Sequence, residues 1–342
     1  METLNNRAFY KQTVSIALPI AAQSLIGSSL SLIDNLMVGT LGETELAAVG
    51  AGVQIFFLYW MVMFGFNSGG AMFVAQFWGA RDISNIKRTL GFMAKVSIGI
   101  ALVFFVGANI FAGYIMKVFT TDAAVTELGI RYIRYGSPCF LFIGLSQPMV
   151  VGLRCTKQPK KPLVVSTIAF MTNTLLNLIL IFGLLGLPRL ETNGAALATS
   201  IARFVEFSLL VIIIFGKKNI ISGKASEFAH ASKDLAVSII KRAIPTTLNE
   251  SLWGLGQTMY MSAIGHIGVT AYAAAQASHT IENVFIMAGF SIGDAALIII
   301  GAKLGEGDIG QSKEMAKRYS KEVFIQKIII TNLNLVVHLK FF

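Results

Sequence analysis

An all-α polytopic membrane protein, built from a six-helix lobe and part of a second, is the fold class this sequence predicts. Three observations predict it. The 342 residues are 54% hydrophobic and only 13% charged, against roughly 25% charged in a soluble domain. Eight apolar stretches are long enough to cross a bilayer, which takes about 20 residues each. A constant offset of 226 residues relates the first pair of stretches to the last pair, as in a parallel internal repeat.

The stretches run over 14–38, 47–78, 90–112, 135–153, 163–187, 194–215, 243–265 and 271–302. The second and eighth exceed the bilayer and should tilt or project into water. The opening residues "METLNNRAFYKQT" contain no short apolar core followed by a small-residue cleavage site, so the first helix is its own insertion signal. The net charge of +10 does not indicate nucleic acid, because the bases are confined to short connectors. Arg81, Lys87 and Arg88, then Arg154, Lys157, Lys160 and Lys161, then six further bases from Lys217 to Arg242, all fall on one side. The positive-inside rule places that side, and the N-terminus, in the cytoplasm.

The repeat is read from "ALPI" at Ala17 against "AIPT" at Ala243. Without gaps, Gly39, Gly42, Thr44, Ala47, Ala48 and Ala51 then meet identical residues, and Gly79, Asp82 and Ile83 meet Gly305, Asp308 and Ile309. An even number of helices separates the copies, so they share one orientation and their lobes meet at a central cleft. The predicted organisation is an N-lobe over 1–215, a cytoplasmic linker over 216–242, a partial C-lobe over 243–321 and an atypical tail over 322–342. A matching second lobe would need about 200 residues, so truncation after about eight helices is expected.

The segments "ALPIAAQSLIGSSLSLIDNLMVGTLGETELAAVG", "AQFWGARD", "NGAALATSIARFVE", "IGHIGVTAYAAAQASHTIENVF" and "IIGAKLGEGD" resemble the multidrug and toxic compound extrusion (MATE) family. The resemblance implies a twelve-helix, two-lobe antiporter that exchanges Na+ or H+ for amphipathic, often cationic compounds. Helices nine to twelve are not represented, and a missing C-terminal segment or a second chain would have to supply them.

Asp34 stands inside the first span. A mid-membrane Asp costs about 2.5–3.5 kcal/mol on insertion scales, so such residues mark ion or proton routes. Asn173 and Asn177 are one helical turn apart and present two amides on one face. The resemblance adds Thr199 and makes these four residues the cation or proton coupling site. Glu206, Glu250 and Glu282 are intramembrane acids suited to attract a cationic substrate, and are read as substrate-cleft candidates. Glu206 alternatively pairs with Arg203 one turn earlier. Asp294 receives no role. Pro19 and Pro245 remove a backbone donor within spans and are candidate gating points.

Cys139 and Cys155 have neither the number nor the spacing for a disulfide framework, and His266 and His279 lack partnered ligands, so no metal site is expected. No "GxxxxGK" loop or nucleophile triad is present, so the chain is read as a non-enzyme without cofactor, driven by an ion gradient. The expected setting is the plasma (inner) membrane of a bacterium, with lipid and small molecules as partners. A flippase for a lipid-linked precursor, and a non-transporting fragment, remain the alternatives.

Overall fold

The computed structural model describes residues 6–216, 219–267 and 269–322. Most of the tail singled out above lies outside the described residues. Ten α-helices and one short 3-10 turn account for nearly all of the rest. Helices α1 (Asn6–Gly39), α2 (Glu43–Gly79) and α3 (Ile83–Phe119) are followed by α4 (Ala123–Gly136), α5 (Pro138–Cys155), α6 (Lys160–Phe182) and α7 (Glu191–Phe215). After a connector with the 3-10 turn Ala225–Phe228 come α8 (Lys233–Ile267), α9 (Val269–Gly305) and α10 over 309–322. Among the described residues, six helices are long and apolar enough to cross a membrane: α1, α2, α3, α5, α6 and α7.

Two predicted boundaries are corrected. The fourth span begins earlier than 135, as α4, which continues into α5 through a break at Pro138. Pro138 has no N–H to give, so the ladder lapses there, and Ser137 closes the gap by donating its N–H to Ile133 O at 2.8 Å. Helix α4 starts where Asp122 Oδ1 accepts from the N–H groups of Ala124 and Val125, a capping signal hidden among the charges that read as a connector. The fifth span ends at Phe182 rather than 187, because Gly183 adopts φ 72° and its N–H closes on Ile179 O, a left-handed stop that glycine makes without strain.

The predicted offset is present in the backbone. Helices α2 and α9 both have 37 residues, and 269 minus 43 and 305 minus 79 are each 226. The turns that follow are copied bond for bond. Asp82 N–H donates to Phe77 O and Asp308 N–H to Lys303 O; Arg81 N–H donates to Trp78 O and Gly307 N–H to Leu304 O. Asp82 and Asp308 then cap the next helix, accepting from the N–H of Asn85 and Gln311, both at 2.9 Å. Helix α10 is therefore the counterpart of the start of α3.

The copies meet at the end of the molecule that carries the basic connectors. A Cβ built on Gly79 would fall 1.8 Å from Ala302 O, and one on Gly305 would fall 1.9 Å from Gln76 O. These two contacts are images of each other under the offset, as two helices crossing on a pseudo-two-fold axis must be. The largest apolar core surrounds this crossing and draws on α1, α2, α3, α5, α6, α7, α8, α9 and α10 through residues such as Ile20, Val74, Leu153, Ala243, Ile298 and Tyr319. Toward the opposite end, among the described residues, Val38, Val49, Ile181 and Ala195 join α1, α2, α6 and α7, with Tyr132 of α4 packed against them, and a larger cluster that includes Ala48, Ala112, Met116 and Phe140 joins α2, α3, α4 and α5. The described residues of both copies thus seal the basic end.

Candidate functional site

Asp34, Asn173, Asn177 and Thr199, chosen from three separate stretches of sequence, converge. Asp34 is five residues from the end of α1, Asn173 and Asn177 lie in the last half of α6, and Thr199 is eight residues into α7. At ~1.5 Å per residue these depths agree to within about 6 Å. The antiparallel packing of α6 on α7, with α1 against α6, does the rest.

Asn177 Nδ2 donates to Asp34 Oδ1. The Asn173 amide satisfies the cluster in either of two orientations. In one, its Oδ1 accepts from Asn177 Nδ2 at 3.0 Å and its Nδ2 donates to Thr199 Oγ1 at 3.2 Å. In the other, its Nδ2 donates to Asp34 Oδ1 at 2.9 Å and its oxygen accepts from Thr199. Both asparagines are fully buried, whereas Asp34 is half-buried. Asn177 Oδ1 is buried and has no hydrogen-bond partner among the described residues. Carboxylate, amide and hydroxyl oxygens are hard donors that suit a small hard cation, and the same carboxylate accepts a proton.

A second polar layer lies below the first, on the same helix faces. Glu206 is seven residues after Thr199 and Ser166 seven before Asn173, two turns in each case; Gln23 is eleven before Asp34, three turns. Arg203 Nη1 donates to Glu206 Oε2 at 2.6 Å, and Ser166 Oγ donates to Glu206 Oε1 at 3.0 Å. Gln23 Nε2 donates to Ser166 Oγ at 2.9 Å, and Gln23 Oε1 accepts from Arg154 Nη2 at 2.7 Å. Arg154 Nη1 closes on Asp294 Oδ2 at 2.9 Å.

Glu206, read as a substrate-cleft candidate or alternatively as the partner of Arg203, has a side chain that is 8% exposed and engaged by Arg203. Asp294, left without a role, is ion-paired, and Arg154, read only as a topology signal, is its partner. The missed signals were the two-turn and three-turn spacings from residues already singled out, because Gln and Ser within a membrane helix read as ordinary small polar positions. Glu250 is half-buried in α8 with Asn249 Nδ2 3.5 Å away, and no hydrogen bond among the described residues joins it to either layer. The side chains of Glu282, His266 and His279 lie outside the described residues. Pro19 is buried in α1 and Pro245 exposed in α8, both inside continuous helix.

Comparison with known proteins finds relatives over most of the chain. A family model described as MatE matches residues 19–179. The probable multidrug resistance protein YoeA of Bacillus subtilis is 24% identical over 302 residues, covering 87% of this chain and 65% of its own. The multidrug resistance protein NorM of Burkholderia vietnamiensis is 26% identical, over 86% of this chain and 64% of its own. The chain thus spans just under two thirds of the length of these relatives. Among solved structures, a MOP superfamily transporter from Pyrococcus furiosus superposes with a TM-score of 0.83 at 19% identity, over 97% of this chain and 74% of that one. A MATE family transporter of the MOP superfamily in an outward-facing conformation gives 0.83 at 19%, over 94% and 71%. The fold of this chain is that of the MATE/MOP superfamily transporters.

Proposed function

We propose that the chain is an ion-coupled antiporter that exports amphipathic or cationic compounds, with Na+ or H+ taken up at Asp34, Asn173, Asn177 and Thr199. The single observation that carries this reading is the convergence of one carboxylate, two amides and a hydroxyl from α1, α6 and α7, with a buried amide oxygen left unpaired. The names of the relatives, multidrug resistance proteins, point the same way.

In this reading the basic end faces the cytoplasm. The sealed end is then the cytoplasmic one, and the ion group lies toward the outside, where its coupling ion arrives. Occupancy of the Asp34 group by a cation or a proton exchanges hydrogen bonds among Asn173, Asn177 and Thr199 and so biases the packing of α1 on α6 and α7. The lobes, α1–α7 and the group beginning with α8, rock about their crossing, with Pro19 and Pro245 as bending points. Both arginines of the lower layer are neutralised by acids. Among the described residues of that layer neither arginine is left to hold a phosphate, which favours export of cations over a phosphate-bearing lipid precursor.

The test is gradient-driven ethidium efflux from a pump-deleted host expressing a version extended to the length of the relatives. Efflux is expected from that version and its loss, by about 100-fold in rate, when it carries Asp34→Asn at equal membrane abundance. Full efflux with Asp34→Asn contradicts the coupling role, and none from the unsubstituted extended version contradicts export.

A further inference from the structure

Resting on that reading and deepening it, we propose that Arg154 and Asp294 are the residues that hold the two lobes together at the sealed end, and that Gln23 and Ser166 tie this lock to the helices of the ion site. Arg154 is the penultimate residue of α5 and Asp294 is on α9. Their bond is therefore a charged contact between the group α1–α7 and the group α8–α10. The side chains are 19% and 24% exposed. A pair this far from water cannot be traded for hydration while the end stays closed, so breaking it requires the lobes to part and water to enter.

The remaining bonds run in one direction. Arg154 donates to Gln23, Gln23 to Ser166, Ser166 to Glu206, and Arg203 completes Glu206. Two ion pairs, bridged by an amide and a hydroxyl, make a layer with no net charge. It touches α1, α5, α6, α7 and α9, and three of these, α1, α6 and α7, also carry the ion group two or three turns away on the same faces. A shift of α1, α6 or α7 on filling the Asp34 group displaces Gln23, Ser166 or Glu206, and with them the acceptor that orients Arg154. Asp294 is thus a positioning residue of the lobe contact, acting through Arg154.

The rest of the described contact between the groups at this end combines close apolar and backbone approaches, as at Gly79 with Ala302 and Gly69 with Ala243, with neutral-donor hydrogen bonds, as between Thr13 Oγ1 and Tyr319 OH at 2.6 Å and from Tyr10 OH to Glu322 Oε1 at 2.7 Å. The Arg154–Asp294 pair adds a charged contact that is withheld from most of the water. Removing one partner leaves the other buried and unpaired, which is costly in the closed state and relieved in the open one.

Nitroxides on Ser84→Cys and Lys313→Cys, at exposed positions of α3 and α10, report the distance between the two groups by pulsed electron resonance in nanodiscs. The native cysteines are both buried. The unsubstituted chain is expected to show one short-distance population. Asp294→Asn, which keeps shape and removes charge, is expected to raise a longer-distance population at least about fivefold. The charge-swapped double variant, Arg154→Asp with Asp294→Arg, is expected to return the short distance. An unchanged distribution in Asp294→Asn overturns the proposal. So does a folded, monodisperse double variant that stays open, which decides the matter even where the single variant gives no folded protein. Ion binding at Asp34 is read separately. Loss of that binding with these distances behaving as expected faults the exporter reading, and intact binding with unchanged distances faults this one.

Discussion

Helices α1 and α2 with their turn, and α8 and α9 with theirs, are two copies of one backbone that carry different chemistry. The lengths of α2 and α9, the hydrogen bonds of the turns that follow them and the capping aspartates coincide under the offset. Yet Asp34 falls on Tyr260, Gln23 on Asn249, and Asp294 on Ser68. What the copies share is what folding needs: glycines where backbones touch and aspartates where helices start. What they do not share is the ionisable chemistry, which the first copy places at the ion group and the second at the contact between copies. Under the proposed function, a duplicated scaffold with unduplicated polar residues would let the halves rock about their crossing while the ion acts on one of them.

The largest effect should come from the crossing itself. Gly79→Ala and Gly305→Ala each drive a methyl group into a backbone carbonyl within 2 Å, and both should destabilise by about 3–5 kcal/mol, as severe overpacking does. Thermal unfolding in detergent checks this. Damage at one glycine and tolerance at the other would break the pseudo-two-fold relation.

A smaller effect sharpens the comparison at the turns. Arg81 adopts φ 58° where its counterpart is Gly307 at 84°, so the first copy carries backbone strain that the second avoids. Arg81→Gly should stabilise by up to about 1 kcal/mol, and Gly307→Ala should destabilise by about 1 kcal/mol. The same unfolding measurement reads both, and equal signs would contradict the account.

The smallest effect concerns the connector between the copies. Lys87 Nζ donates to Glu227 Oε2 at 2.6 Å, and this bond, helped by the Lys224 N–H, holds the Glu227 carboxyl below the usual carboxylate range. A depressed acid contributes stability above its unfolded value, which is lost as pH falls through the folded one. Docking of the connector should therefore loosen only in acid. The pair is half in water, so the effect is slight. Limited proteolysis over 219–232 at falling pH checks it, and loosening on the alkaline side instead would contradict it.

Much of the fold was legible, for physical reasons that also explain the misses. Spans announce themselves by apolar length, and the offset showed because glycine and aspartate at touching or capping positions tolerate few replacements. Helix α4 was not legible, since Glu127 and Arg131 form a solvent-facing pair that lowers apparent hydropathy without interrupting the helix. At the site, Asp34 and the two asparagines stood out because a carboxylate or paired amides are conspicuous in an apolar run. Gln23 and Ser166 did not, because their meaning lies in which helix faces them. No single-helix pattern reveals that Arg154 reaches across to Asp294.

The central claim is that the first copy alone holds the coupling ion. It is tested most directly by ion displacement on the purified chain, with 22Na+ release and proton release followed as ethidium is added. Saturable displacement of one of the two ions is predicted for the unsubstituted chain and for Tyr260→Phe, and none for Asp34→Asn. Displacement that survives Asp34→Asn, or that is lost in Tyr260→Phe, would contradict the account.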